Sequence, residues 1–205
     1  MGRTSDAKYK ILTAAQLLIE QRGYTALSIA EICRSAGTPK GSFYHFFGSK
    51  ETLALAVIDE HWAAEQREWN HILSGDAEPL ERLRQLFKGT ESREQEGQDD
   101  CGSVPGCMFG NLSLEMSNQA GAIQGRLQAI FETQVDMVDA VIAEARERGE
   151  VTVVDTRAAA RSLVAQLEGQ VLFAKLYNNP SQLNTLWPCC MALLGIHDAQ
   201  ATVSA

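Results

Sequence analysis

The sequence predicts an all-α protein: an N-terminal three-helix domain of helix-turn-helix type followed by a larger helical body, about nine helices in all. Three observations predict it. Apolar residues recur at helical spacing along almost every segment, and no run alternates with period two as a half-buried strand would. Residues 28–50 hold the capping signals of two short helices around the tight turn Ala36-Gly37. Charge is segregated as well: residues 1–50 carry seven Lys/Arg and three Asp/Glu, a net +4, whereas residues 51–205 carry a net −12.

The elements follow in order. Helix one is predicted over 6–22, with Ile11, Ala15, Leu18 and Ile19 on one face and Gly23 as its stop. Helix two is predicted over 29–35. Ser28 caps its first turn and Glu31, three residues on, returns the bond, which is a capping box. Ile29, Ile32, Cys33 and Ala36 have the spacing of a buried face. Thr38 is expected to cap a third helix with Pro39 at its first position, where a missing N–H costs nothing. That helix runs to about 46 and Gly48 ends it, with Phe43 and Phe47, four apart, as its anchors.

Ser49 begins a long fourth helix reaching about 71, and Ser74-Gly75-Asp76 breaks the chain before a fifth helix over 78–89. Residues 90–103 read as irregular, with Gly97, Asp99, Asp100 and Gly102 as breakers. Further helices are expected at 107–117, 122–148 and 156–177. After the turn Asn178-Asn179-Pro180, a last helix covers 181–194, and the tail frays.

Bulk properties narrow the function classes. With 205 residues and 45% hydrophobic content, the chain can bury a core in one large or two small domains. No apolar run approaches the ~18 residues needed to span a bilayer, and MGRTSDAKYK has no signal core behind it, so no membrane partner and a cytoplasmic location are expected. Five irregularly spaced cysteines do not make a disulfide framework. The four histidines show no metal-ligand spacing with them, so neither a metal nor a cofactor is expected. A Gly-rich phosphate loop, a Ser/His/Asp arrangement and HExxH are all missing, which weighs against an enzyme.

A helix-turn-helix braces its first helix across the DNA backbone and lays the second in the major groove. With Phe43 and Phe47 turned inward, Lys40, Gly41, Ser42, Tyr44 and His45 are left to face DNA. Gly41 permits close approach to the groove wall, and Lys50, with the first amides of helix four, suits a phosphate oxygen. Lys40 and Tyr44 are further phosphate candidates, while Ser42 or Thr38 can reach base edges; Ser28 completes the expected DNA-binding set.

The stretch SIAEICRSAGTPKGSFYHFFGSKETL resembles the signature of the TetR/AcrR transcriptional regulators. That resemblance implies a homodimer on a palindromic double-stranded operator, with residues 1–50 as the DNA-binding domain and 51–205 as the ligand-binding and dimerisation domain. It also implies a repressor released by a small-molecule effector, with helix four touching both domains as the lever. An activator of the same fold is the alternative, and a small-molecule enzyme a remoter one. Helix eight (Ala160, Leu163, Val164, Leu167, Val171, Ala174) and helix nine (Leu183, Leu186, Trp187, Cys190, Leu194) offer apolar faces for the dimer, although a monomeric core would read the same.

In the body, PGCMFGNLSLEMS (105–117) and EGQVLFAKL (168–176) resemble the NemR-like and acrylate-responsive subgroup, which responds to electrophiles or unsaturated acids. Asn111 and Glu115, four apart on one helical face, could join Glu168 in an apolar effector cavity. Buttressing by Asn111 and a solvated Glu115 is the equal alternative. Trp62, Phe109 and Phe173 complete the expected ligand set, with core packing as the competing reading. Cys107, near a helix N-terminus that favours the thiolate, is the candidate sensor, and Cys101 its resolving partner. Cys33, Cys189 and Cys190 read as packing residues.

Overall fold

The computed structural model describes residues 2–116 and 121–196, with side chains from Asp6 onward. Ser117, the predicted end of the sixth helix, and the tail beyond 196 lie outside them. Among the described residues the chain is helical: α1 (Gly2–Arg22), α2 (Ile29–Ser35), α3 (Lys40–Phe46), α4 (Lys50–Leu73), α5 (Pro79–Cys101), α6 (Met108–Met116), α7 (Ala122–Glu147), α8 (Thr156–Leu176), a 3-10 turn (Pro180–Thr185) and α9 (Leu186–Leu193). No helix among them is long and apolar enough to cross a membrane.

The chain forms two compact units: Met1–Gln66 with Met108–Ile130, and Arg67–Cys107 with Phe131–Ala205. In the first, Ile11, Ala15, Ile19, Ile32, Phe43 and Leu53 are buried, which joins α1, α2, α3 and the start of α4 around one core. In the second, Trp69, Leu83, Leu86, Val138, Leu163 and Leu186 belong to a core drawn from α4, α5, α7, α8 and the 3-10 and α9 segment.

Local chemistry explains most boundaries. Gly23, Gly48 and Gly149 follow helices at positive φ, the left-handed stop that glycine takes most readily. The capping box is present: the Glu31 amide donates to Ser28 Oγ at 3.2 Å, and the Ser28 amide donates to Glu31 Oε2 at 2.9 Å. Thr38 does not cap α3. The helix starts at Lys40 with Pro39 as an extended N-cap, and the Thr38 hydroxyl is buried beside the Cys33 thiol.

Two further expectations are corrected. Residues 90–101 are the second half of α5 rather than irregular chain. Its buried face runs Leu83, Leu86, Phe87, Thr90 and Glu94, so the helical period continues through polar residues that conceal it from an apolar pattern. Gly97 is no breaker here: a Cβ at that position would stand 2.6 Å from Pro105 Cδ, so its absence lets the next loop pack. The predicted ninth helix is also divided. Asn179 Oδ1 accepts from the Ser181 amide at 3.1 Å and starts the 3-10 turn, and α9 begins only at Leu186. Pro188 sits in the first turn of α9, where its missing N–H has no helical partner to lose.

The faces expected to make a dimer lie in the core of one chain. Ala160, Leu163, Val164, Leu167, Val171 and Ala174 are buried, as are Leu183, Leu186, Cys190 and Leu194, while Trp187 is half-buried against Phe87. Burial pushes the Cys190 thiol up to about 12. What α8 and its C-cap Tyr177 leave exposed is a different face: Leu172, Phe173, Leu176 and Tyr177 itself.

Candidate nucleic-acid interface

α3 is a two-sided helix. Phe43 is fully buried and packs on Phe47, with ring centroids 5.9 Å apart, which fixes the helix against α1 and α2. Its other side presents Lys40, Gly41, Tyr44 and His45 to solvent, with Ser42 half-buried. Tyr44 is 56% exposed although its ring edge rests on Phe43 at 5.3 Å, so it has a fixed base and a free hydroxyl end. A Cβ on Gly41 would meet nothing within 4 Å, which leaves that point of the helix open to a groove wall. Exposed Arg34 extends the positive charge onto α2.

Ser28 and Lys50, both expected at DNA, have partners within the protein. Ser28 Oγ donates to Glu31 Oε2 at 2.8 Å as part of the cap, although the residue is exposed. Lys50 Nζ donates to the Leu27 carbonyl at 2.6 Å and lies 4.2 Å above the Tyr24 ring, a cation–π arrangement. Burial holds the Lys50 ammonium below its usual range, opposed by the charges of Glu115 and Glu31.

Across from Lys50 stands Glu115. Its Oε2 accepts from the Tyr24 amide at 2.8 Å, and its Oε1 accepts from the Thr25 amide at 2.6 Å and from the Thr25 hydroxyl. Burial raises this carboxyl, but the Thr25 and Tyr24 donors and the charge of Lys50 prevail and hold it below the usual carboxylate range. The carboxylate expected in an effector cavity is therefore seated in the turn between α1 and α2, some ninety residues away in sequence.

The remaining expected ligand residues divide between the units. In the first, Trp62 is 4% exposed and Phe109 fully buried, their rings T-shaped at 6.0 Å, with His61 also edge-on to Phe109 at 5.3 Å; Asn111 is half-buried. Gln16 Nε2 lies 3.4 Å from His61 Nδ1, so this aromatic group has a polar rim that sequence reading passed over. In the second, Cys107 and Glu168 are half-buried and Phe173 is half-exposed, stacked on Tyr177 at 6.1 Å. None of the five cysteines is joined in a disulfide. Cys107 immediately precedes α6 and Cys101 ends α5, exposed.

The second unit also holds contacts whose pairing no motif marked. Buried Arg82 donates from Nη1 to the Leu73 carbonyl at 2.7 Å, closing the end of α4, and borders an open cavity of about 330 Å³ together with Asn70, Met137 and Glu144. Loop 102–106 is tied down from several sides. The Val104 amide donates to Asn178 Oδ1 at 2.8 Å, Asn178 Nδ2 donates to the Gly102 carbonyl at 3.1 Å, and Lys175 Nζ donates to the Pro105 carbonyl at 2.8 Å. Buried Glu94 accepts from the Gly106 amide at 2.8 Å.

A capped two-helix brace, an outward basic-aromatic recognition helix and an all-helical body together define a helix-turn-helix regulator. Residues 11–57 match the family described as bacterial regulatory proteins, tetR family, and residues 79–188 match the tetracyclin repressor-like C-terminal domain. The chain belongs to the TetR family and is a DNA-binding transcriptional regulator.

It is 33% identical to an uncharacterized HTH-type transcriptional regulator in the lacX 3' region of Lactococcus lactis subsp. lactis, over 83% of this chain and 84% of the relative. With the transcriptional regulator AcuR of Cereibacter sphaeroides the identity is 31%, over 87% and 81%. The HTH-type transcriptional repressor NemR of Escherichia coli K12 is 28% identical over 70% and 69%. The crystal structure of reduced E. coli NemR shares the fold with a TM-score of 0.83, at 24% identity over 94% of this chain and 99% of that one.

Proposed function

We propose that this chain is a homodimeric repressor in the cytoplasm that occupies a palindromic operator and leaves it when a small molecule or electrophile engages its regulatory domain. In functional terms residues 1–50 read DNA, and the rest of the chain senses and dimerises. The work is done by binding and not by catalysis. The observation that carries this reading is α3: a short helix pinned by Phe43, with Lys40, Tyr44 and His45 turned outward from a head of net positive charge.

Lys40 and Tyr44 then serve phosphates, Gly41 admits the groove wall and Ser42 reaches for a base edge. A two-fold operator calls for two heads, and Leu172, Phe173, Leu176 and Tyr177 share one exposed apolar face of α8 suited to a second copy. Repression is supported by the repressor name of the NemR relative. Effector sensing by Cys107 is supported by its place at the start of α6 and by the PGCMFGNLSLE motif.

Fluorescence anisotropy with palindromic fragments from the promoter region of the chain's own gene tests the reading, and no binding at low salt would sink it. Tyr44→Ala should weaken operator binding by about 1.5–3 kcal/mol, as for one hydrogen bond to a charged group, while the helical content stays unchanged. A Cys107→Ser protein that keeps its full response to electrophiles removes the thiol from the sensing role.

A further inference from the structure

We infer that Glu115 is a positioning residue of the DNA-reading head: from the end of α6 it clamps the turn that sets where α2, and through it α3, begins. The inference rests on the DNA-binding reading above and adds the part that α6 plays in it.

The turn at 23–27 has few means of holding itself. Its own backbone supplies the Leu27 amide to the Tyr24 carbonyl at 3.2 Å. Glu115 supplies more, because one carboxylate takes the consecutive amides of Tyr24 and Thr25 and the Thr25 hydroxyl. Charge-assisted bonds of this kind are shorter and stronger than neutral ones. Lys50 grips the same turn from α4, through the Leu27 carbonyl and the face of the Tyr24 ring. Opposite charges thus hold one five-residue segment from two helices, and Ser28, the first residue of the capping box, follows at once.

Gly23 is fitted to the clamp. It sits at φ +77°, and a Cβ there would lie 3.0 Å from Glu115 Oε2 and 3.1 Å from Oε1. Any other residue would be strained in the backbone and would crowd the carboxylate. The turn therefore has the one residue type that lets the carboxylate approach.

General electrostatics and positioning predict opposite signs. Removing a negative charge near a DNA-binding head should tighten all DNA binding. If Glu115 positions the head, its loss enlarges the set of head orientations, and only a fraction of them matches the operator. Operator binding should then weaken while binding to unrelated duplex does not.

The test uses the full chain and the variants Glu115→Gln and Thr25→Val, with operator and scrambled duplexes of equal length across a salt series. Glu115→Gln should weaken operator binding about tenfold, with an unchanged salt slope and scrambled-duplex binding equal or tighter. Thr25→Val should weaken it less and add little on top of Glu115→Gln, since the hydroxyl bond it removes is one of those that Glu115 makes. Operator binding that is unchanged or tighter in Glu115→Gln overturns the inference.

Amide hydrogen exchange decides the clamp without DNA. The Tyr24 and Thr25 amides should be protected in the parent chain and exchange faster in Glu115→Gln, and equal exchange in both overturns it. A parent chain that binds no operator while those amides respond would discard the repressor reading and leave the clamp standing.

Discussion

Two loops in this protein, one in each unit, are held by a carboxylate from a distant helix turn, yet the two carboxylates end in opposite electrostatic states. Glu115 holds the turn at 23–27 with three donors and the charge of Lys50, and is kept below the ordinary carboxylate range. Glu94 holds the loop at 102–106 with one amide, from a site where it is 6% exposed. Burial raises it above the ordinary range, against the Gly106 hydrogen bond and the charges of Arg93 and Lys175. Donor number and access to water decide the outcome, not residue type. The first carboxylate is a charge-stable clamp. The second is a link whose strength depends on its proton.

Loop 102–106 relies on Asn178 more than on Glu94, because Asn178 bonds both Gly102 and Val104 and sits at φ 48°, a conformation asparagine tolerates better than alanine. Asn178→Ala should therefore have the largest effect, a loss of about 2–4 kcal/mol from two hydrogen bonds and the left-handed backbone. In thermal unfolding that is a fall of roughly 5–12 °C for a chain of this size. A fall of a degree or less would show that Glu94 and Lys175 hold the loop alone.

Ser28→Ala should come next, at about 1 kcal/mol for a lost N-cap. It removes the capping box beside the clamped turn and leaves Glu115 in place, so the Tyr24 and Thr25 amides should keep their exchange protection. If they lose it, cap and clamp are one cooperative unit.

Glu94→Gln should have the smallest effect, of opposite sign. A carboxyl whose folded value is raised binds its proton more tightly folded than unfolded, so its contribution falls as pH rises through the window between the two values. Above that window the ionised, buried group is a net cost. Glutamine keeps an oxygen for the Gly106 amide without the charge, so the variant should gain melting temperature over the parent as pH rises through that window, and the gain should shrink as pH falls toward the ordinary carboxylate range. For Glu115 the sign reverses: its contribution is present above the ordinary range and is lost as pH falls through the lowered value. A Glu94→Gln difference that does not vary with pH would refute the link.

Much of this was legible in the chain. The capping box at Ser28 and Glu31 is a four-residue pattern, and the structure contains both of its bonds. Phe43 and Phe47 are four apart and share the buried side of the head. Thr38 misled because a threonine before Pro-Lys has the form of a cap, whereas the space beside Cys33 took its hydroxyl. The second half of α5 was invisible because Thr90 and Glu94 occupy core positions where the pattern looks for apolar residues. The apolar stripes of α8 and α9 looked like interfaces, but periodicity reports that a face is buried and not which partner buries it.

Local spacing specifies most of the helices, the capping box of α2 and the outward basic-aromatic side of α3. These depend on residues within about four positions of one another, and backbone hydrogen bonding reads spacing of that range. The partners of Glu115, Lys50, Glu94 and Asn178 are instead set by long-range packing. Each bonds a backbone group between 12 and 91 residues away. A backbone amide or carbonyl looks the same at every position, so no residue type at either end announces the pairing. That choice belongs to the packing that brings the chain segments together.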